Sequence, residues 1–461
     1  MPNSEPPNDV PKVFPTDSPG TAGSGTQPRQ RKALLPLFFT IFIDLVGFSI
    51  LIPVFPLLID PRPGAAFRVT PLDWSPTTGL IMLGWLQAVY PLCIFLAAPI
   101  LGQLSDRMGR RPILAISIAG TAVGYLIFAA GISAKSIPLL FLGRAIDGIT
   151  GGNLAVAQAA IGDVSTNENR AKNFGLIGAA FGLGFILGPY IGGRLSAPDT
   201  SFYGLFDTPS WFGATTPFLF ASLLAALNAA SVFCRLPETL VHKRSGKLEL
   251  SKAVRNVQEG FSSPRLRPVL TTAFFWVCGF TFFTTFFGVY VKNKFGFSQS
   301  KTGDYFAIVG VFIAITQGAL VGVVAKKLAD YKVLRFSIFG QVVALTAYCL
   351  ITRSAILYLF IPVLALFQGL SMANLTSLMS RSAEMGRQGE AMGIYSSVSS
   401  LAQVPASVLV GYVASSVSSN TPLVAGAGLT LAAGILFWLL FKPGFVAATA
   451  TGAAGPAPAG H

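Results

Sequence analysis

Of 461 residues, 52% are hydrophobic and 11% charged, against roughly 25% charged in an ordinary soluble domain, which excludes a soluble core kept free of aggregation. A formal net charge of +14 invites a nucleic-acid reading, but that needs basic residues gathered with polar or aromatic partners on a solvated face. Here they lie between apolar runs, and with 38 Phe and 48 Gly the composition suits helices that pack closely and face lipid.

Residues 1–32 are rich in Pro, Ser, Gly and Asn and read as a disordered tail. The first apolar run is too long for a signal peptide and follows Arg29, Arg31 and Lys32, as a retained first helix does. Twelve apolar segments begin near residues 33, 79, 113, 137, 173, 216, 268, 302, 333, 355, 390 and 421, each long enough for the roughly 20 residues that span a bilayer. Backbone groups in lipid must be satisfied within their own segment, so helices are expected, and the short alternating strands of a membrane β-barrel are absent. The chain therefore reads as an all-α polytopic membrane protein of two pseudo-symmetric six-helix bundles, 33–235 and 268–441. A basic linker, 236–267, joins them, and a second disordered tail occupies 442–461. Two further long connections, the Pro- and Trp-containing external segments 60–76 and 195–215, suggest no function. Lys and Arg number 24 on the side of the tails and even-numbered loops and 8 on the other, with Arg144 inside a helix; positive-inside orientation then places both termini in the cytoplasm. An offset of about 220 residues relates "GQLSDRMGRRP" at 102 to "GVVAKKLADYK" at 322, and "RAIDG" at 144 to "ALFQG" at 365. Parallel halves of this kind set a substrate cavity between them near mid-membrane.

Helix 1 carries Asp44, with Gly47 and Leu51 expected on its face and Pro53 and Pro56 beyond as kink points. An ionisable group inside a span costs a few kcal/mol or more, so it is functional unless paired or near an interface. Two roles fit Asp44: proton carrier or partner of a substrate cation, and a structural hydrogen bond across the bundle. Between helices 2 and 3, Gly102 is expected to end one helix and Pro112 to open the next. The tight turn between them holds Asp106, Arg107, Gly109, Arg110 and Arg111, which by charge alone form an anchor on the inner face. In helix 4, Arg144 and Asp147 stand three apart and are neighbours. Either they neutralise one another, or Arg144 tunes a carboxylate, Asp147 or Asp44, so that protonation breaks the pair.

Helix 5 contains "GLGFILGPYIGG": Gly184, Gly188 and Gly192 leave one face without side chains, Pro189 adds a kink, and Gly193 closes the run. Helix 7, "FFWVCGFTFFTTFFGVY", is dense in aromatics that suit lipid or helix packing, with a drug-stacking surface as the other reading. Gln87, Tyr90, Asn153, Gln158, Asn228, Trp276, Gln317, Gln341, Gln368, Asn374, Tyr395 and Gln403 are the polar or aromatic cavity candidates within the spans, each either interhelical glue or a substrate contact. Cys93, Cys234, Cys278 and Cys349 are far apart and read as free packing thiols. His242 and His461 stand alone, and no nucleophile, metal cluster or phosphate loop is recognisable, so neither an enzyme nor a cofactor is expected.

The order of residues in "GQLSDRMGRRP" closely resembles the signature loop of the major facilitator superfamily, usually Gly-x-Leu-Ala-Asp-Arg-x-Gly-Arg-Lys. That resemblance implies a conformational latch. Asp106 would cap the N-terminal end of a helix in the opposite half, here the eleventh near Gly389, behind a loop with Arg387 and Glu390, and Arg110 would pair with Asp163 after helix 4. Arg144 and Gly148 match the family's Arg-x-x-Gln-Gly pattern, with Asp147 where Gln is usual, and helix 5 matches its antiporter signature Gly-x-x-x-Gly-Pro-x-x-Gly-Gly. "FIDLVGFSILIPVFPLL" and the stretch 143–193 look like the tetracycline/H+ antiporters among the twelve-helix drug:H+ antiporters, a likeness concentrated in the first half; "LPET" at 236 is shared too widely to discriminate. The resemblance implies a major facilitator fold in the cytoplasmic membrane, acting as a monomer and exporting amphipathic organic compounds by proton-coupled alternating access. Its partners would be a small-molecule substrate, protons and the bilayer, with no nucleic acid. Alternatives are a symporter or facilitator for a metabolite, sugar or lipid, and a receptor or scaffold without flux.

Overall fold

The structure, a computed structural model, describes residues 26–59, 67–165, 170–198, 207–240, 243, 248–383, 388–416 and 420–444. Twelve helical rods follow one another: helix 1 (Thr26–Ser49), helix 2 (Pro76–Met108), helix 3 (Arg110–Ser133), helix 4 (Ile137–Thr150 and Asn153–Asp163), helix 5 (Arg170–Leu195) and helix 6 (Thr216–Arg235) form the first set. The second is helix 7 (Arg267–Phe295), helix 8 (Gln299–Ile315, a π turn Thr316–Leu320, then Val321–Ala325), helix 9 (Asp330–Leu350), helix 10 (Ser354–Leu359 and Ile361–Ser382), helix 11 (Gln388–Ser416) and helix 12 (Thr421–Leu440). Among the described residues nine of these are long and apolar enough to cross a membrane, and no strand is present.

Expected and observed starts agree within about three residues, except that helix 1 begins at Thr26, inside the stretch read as tail. Residues 1–25 and 445–461, Arg387 and both histidines lie outside the described residues. Helix 1 ends at Ser49, so Leu51 is not on Asp44's helical face; Ile50–Val54 form turns, and Pro56 sits in a short helix, Phe55–Leu58. Gly102 does not end helix 2, which runs on to Met108, and helix 3 starts at Arg110 rather than Pro112. The connection between them is Gly109 alone, at φ 112°, a conformation that L side chains rarely adopt.

Helix 1 packs on helices 5 and 6, helix 2 on 4, and helix 3 on 4 and 6; helix 7 packs on 11 and 12, helix 8 on 10, and helix 9 on 10 and 12. The second set of pairings is the first shifted by six helices, the signature of a duplicated bundle. Between the halves the main contacts are helix 2 with 11 and helix 5 with 8, which exchange under the same shift. Each half holds two apolar clusters along its length, and the buried polar side chains described below lie between them.

One end of the bundle, the linker face, carries the 2–3, 4–5, 6–7, 8–9 and 10–11 connections; the other is the far face. On the linker face a helix within the linker, Lys252–Ser262, touches helices 2, 7 and 11. The Gln103 side chain clasps its leading end, accepting from the Glu249 N–H at 2.9 Å and donating to the Glu249 carbonyl at 3.1 Å. Toward the far face the halves touch backbone to backbone, at Gly84 against Ser407 and Val408 and at Gly193 against Gly303. Toward the linker face, a Cβ at Gly318, Gly322, Gly389 or Gly393 would meet no described atom within 4 Å.

Candidate functional site

The charged residues of helices 1 and 4 converge between the two apolar clusters of the first half. Arg144 and Asp147 are each 2% exposed, and Arg144 Nη1 donates to Asp147 Oδ2 at 2.8 Å. The Arg144 guanidinium also lies 4.3 Å from the centre of the Tyr90 ring, which neighbours the Phe48 ring at 5.5 Å. This cation–π contact explains how a guanidinium is tolerated there: one face meets an aromatic quadrupole and one N–H a carboxylate. Asp44, half-buried on helix 1, is close enough to Asp147 for the two charges to act on one another. Among the described residues, Asp44 Oδ2 and Arg144 Nε and Nη2 are buried without a hydrogen-bond partner. Asn153 lies beside Asp44, but neither of its amide atoms closes a hydrogen bond. The geometry thus commits the Arg144 guanidinium to Asp147, with Asp44 beside that carboxylate.

Helix 4 is interrupted just past this pair. Gly151 and Gly152 do not continue the rod, and Asn153 opens its second piece. Periodicity did not reveal the break, because glycines are also common in intact membrane helices.

On the linker face, Arg110 is the hub of the charged turn. It meets Asp163 at 3.0 Å and Asp106 at 2.7 Å, and donates to the Ser105 hydroxyl at 2.6 Å. Glu238 of "LPET", not singled out as a site residue, accepts from the backbone N–H groups of Arg110 at 2.8 Å, Arg111 at 3.3 Å and Leu240 at 3.0 Å. It therefore caps helix 3, where orphan donors and the positive dipole end favour a carboxylate. Arg111 donates to the Phe233 carbonyl and lies over the Phe233 ring. Arg107 is in the last turn of helix 2, and Gly102 sits within that helix with open space at its Cβ position. Asp106 spends its contact on Arg110 within the same half. Under the 220-residue offset Arg110 corresponds to Asp330, which meets Arg381 of helix 10 at 3.4 Å and accepts from Ser377 at 2.6 Å. The second half thus keeps the pair between these helices with its signs exchanged, which a comparison of residue types alone conceals.

The glycine run of helix 5 serves two interfaces. Side chains at Gly184, Gly188 and Gly192 would run into Leu45, Ser49 and Ile50 at the end of helix 1, and the Ser49 hydroxyl donates to the Gly184 carbonyl at 3.0 Å. Gly193 and the Pro189 carbonyl instead meet helix 8 at Gln299 and Gly303. Beside them Arg194 Nη2 donates to both carboxylate oxygens of Asp304, at 3.0 and 2.9 Å, an ion pair between the halves on the far face. Nothing in either residue's local sequence signals it.

Several cavity candidates bind one another. Trp276 Nε1 donates to Gln341 at 2.8 Å, and Gln341 Nε2 to Gln368 at 2.7 Å; all three are buried, a neutral counterpart in helices 7, 9 and 10 of the charged cluster. Asn228 donates to Thr40 at 3.2 Å, Asn374 to the Leu370 carbonyl at 2.7 Å and Gln403 to the Ser399 carbonyl at 3.3 Å. Gln317 lies in the π turn of helix 8 with Met372 sulfur at 3.6 Å, and Gln87 and Asn153 are buried. Gln158 and Tyr395 are half-buried. Phe283 and Phe287 of helix 7 pack with Tyr305, Phe306 and Tyr348 inside the second half, as core rather than as an exposed stacking surface. The four cysteines are free.

The sequence model of the Major Facilitator Superfamily matches residues 37–406. The chain is 30% identical over 438 residues to the class D tetracycline resistance protein of Salmonella ordonez, covering 91% of this chain and 99% of that one. It is 27% identical over 385 residues to the class C tetracycline resistance protein of Escherichia coli, covering 83% and 89%. Among solved structures, that of the human organic anion transporter MFSD10 superposes with a TM-score of 0.66 at 22% identity, covering 88% of this chain and 99% of that one. A helix order repeated after six, a charged turn between helices 2 and 3 and a family match over most of the length agree: the chain belongs to the major facilitator superfamily, a multi-pass membrane transporter and not an enzyme.

Proposed function

We propose that the protein is a proton-coupled antiporter that exports amphipathic organic compounds, tetracycline-like drugs among them, by alternating access. The observation that carries the reading is the buried Arg144–Asp147 pair with Asp44 against it, because unneeded charge in the middle of a spanning bundle is costly. The names of the tetracycline resistance relatives and the glycine–proline run of helix 5 support export. With Lys and Arg concentrated on the linker face, that face is cytoplasmic, in the cytoplasmic membrane. A proton from outside neutralises Asp147 or Asp44, releases Arg144 and displaces the outbound substrate; the halves then rock, and the proton leaves to the cytoplasm. In the conformation described here the two halves touch on the far face, through Gly84, Gly193 and the Arg194–Asp304 pair. When the linker faces approach in the opposite state, Asp106 exchanges Arg110 for the entrance of helix 11.

In everted membrane vesicles loaded by a pH gradient, Asp44→Asn and Asp147→Asn should each cut proton-driven tetracycline flux at least about tenfold, the weight of about 1.4 kcal/mol. Undiminished coupling in both variants rejects the mechanism. A second reading, organic anion transport, is favoured by the Arg144 N–H groups that lack a protein partner and by the name of the human structural neighbour. Uptake of an anionic dye that tetracycline fails to inhibit would select it.

A further inference from the structure

We propose that the groove between helices 9 and 12 at the linker face is a binding site for an anionic phospholipid, with the Arg335 guanidinium on its phosphate. Arg110, Arg144, Arg194 and Arg381 each meet a carboxylate. Arg335, half-buried in the second turn of helix 9, meets none among the described residues. Its guanidinium rests instead on two aromatic rings, Tyr331 of its own helix with the centre at 5.8 Å and Phe437 of helix 12 at 5.9 Å. Nε is buried without a hydrogen-bond partner, and the two terminal nitrogens close neither a hydrogen bond nor an ion pair with any described residue. At these distances the rings attract a cation but give its N–H groups no acceptor, and a guanidinium keeps its charge at any working pH. The rings thus seat the fork without using its terminal donors, which suit the paired oxygens of a phosphate.

The rest of the groove has the character of a lipid site. Phe339 stands four residues after Arg335, and Trp438 four after Gly434, so each pair lies along one side of its helix. A Cβ at Gly434 would come within 3.3 Å of the Phe339 ring, which sets those two sides against one another. Helix 9 starts and helix 12 ends at the linker face, so Arg335 and Trp438 both lie on the linker side of that contact. Phe339 and Trp438 are 39% and 63% exposed and give an acyl chain an apolar wall. Trp is enriched at headgroup level, so Trp438, two residues before the end of helix 12, sets the depth of Arg335. Lys332, three residues before Arg335, is exposed, as is Lys442, which follows the Phe441 ring stacked on Tyr331 at 6.0 Å. The one acid in helices 9 and 12 is Asp330, and it turns to helix 10, meeting Arg381 at 3.4 Å and Ser377 at 2.6 Å. A basic rim above an apolar wall matches an anionic headgroup above its chains; a zwitterionic lipid brings its own cation and gains less.

The purified full chain is titrated with phosphatidylglycerol, or with phosphatidylcholine of the same acyl chains, and bound lipid is counted by native mass spectrometry. The first phosphatidylglycerol should bind more tightly than the first phosphatidylcholine. Arg335→Gln should weaken it about fivefold, the weight of one basic group at an anionic lipid surface, and leave phosphatidylcholine unchanged. Arg255→Gln removes the same charge from the linker helix, where Glu249 and Glu259 already hold it, and should leave the first phosphatidylglycerol in place. Equal affinity for the two lipids, an unmoved first site in Arg335→Gln, or an equal loss in Arg255→Gln overturns the proposal. Displacement by inorganic phosphate at the concentration of the lipid also overturns it, because the site would then be one for a free anion. Should Arg335→Gln fail to reach the membrane, Lys442→Gln, beyond the end of helix 12, decides in its place: phosphatidylglycerol must weaken there, and an unchanged affinity overturns the proposal.

Discussion

Arg194→Gln tests whether the far-face ion pair biases the transport equilibrium. One Arg194 nitrogen donates to both Asp304 oxygens, at 3.0 and 2.9 Å, with side-chain exposures of 10% and 27%. For charge centres about 4 Å apart at an effective dielectric constant near 20, the attraction is about 4 kcal/mol. Partial desolvation and the ordering of two side chains offset most of it, leaving about 1–2 kcal/mol. The contact joins helices 5 and 8 from opposite halves, so it stabilises the far-closed state and is lost when those ends part. Its removal should therefore enrich the far-open state about 5- to 30-fold. In a background with the four native cysteines replaced by Ser, nitroxides placed by Trp211→Cys and Lys301→Cys, read by pulsed dipolar spectroscopy, would report a gain in the longer distance. The exchanged pair, Arg194→Asp with Asp304→Arg, should reverse it. An unchanged distance distribution in Arg194→Gln would refute the reasoning, and so would an exchanged pair that behaves like the single variant.

Glu238→Ala removes the side chain that caps helix 3 through the Arg110 and Arg111 N–H groups. It should cost about 1–2 kcal/mol, read as a lower apparent melting temperature in detergent; an unchanged melt would assign those donors to another partner. Trp276→Phe leaves the buried Gln341 oxygen without its donor at 2.8 Å, for a loss of about 1–3 kcal/mol. The same melting assay would expose a smaller effect, which would mean that Gln341 turns to another donor.

Much of the architecture was legible because a bilayer leaves few choices. A long apolar run must satisfy its own backbone, so the pattern of apolar runs, including the Gly- and Ser-rich ones near 173 and 390 that hydropathy alone scores poorly, located eleven of twelve helix starts to within about three residues. Helix 1 was misplaced because polar residues 26–32 carry no hydropathy signal although they extend the rod. Asp44, Arg144 and Asp147 stood out one by one because charge is rare in spans, but their convergence and the Tyr90 face over Arg144 required helices 1, 2 and 4 to be docked. The turn at Gly102–Pro112 was read as a loop because its charges and glycines are loop residues, yet the helix carries them to Met108 and reverses at Gly109 alone.

Composition, run length and motif order by themselves determined the fold class, the duplication and the position of the charged turn, because these follow from local solvation and from residues close in the chain. Only the tertiary structure decided the partners: Arg194 with Asp304, Glu238 with the start of helix 3, Trp276 with Gln341, and Asp330 with Arg381. Such pairs join side chains tens to more than a hundred residues apart. Their energy depends on distances of a few ångströms, which helix packing sets and a one-dimensional pattern does not record.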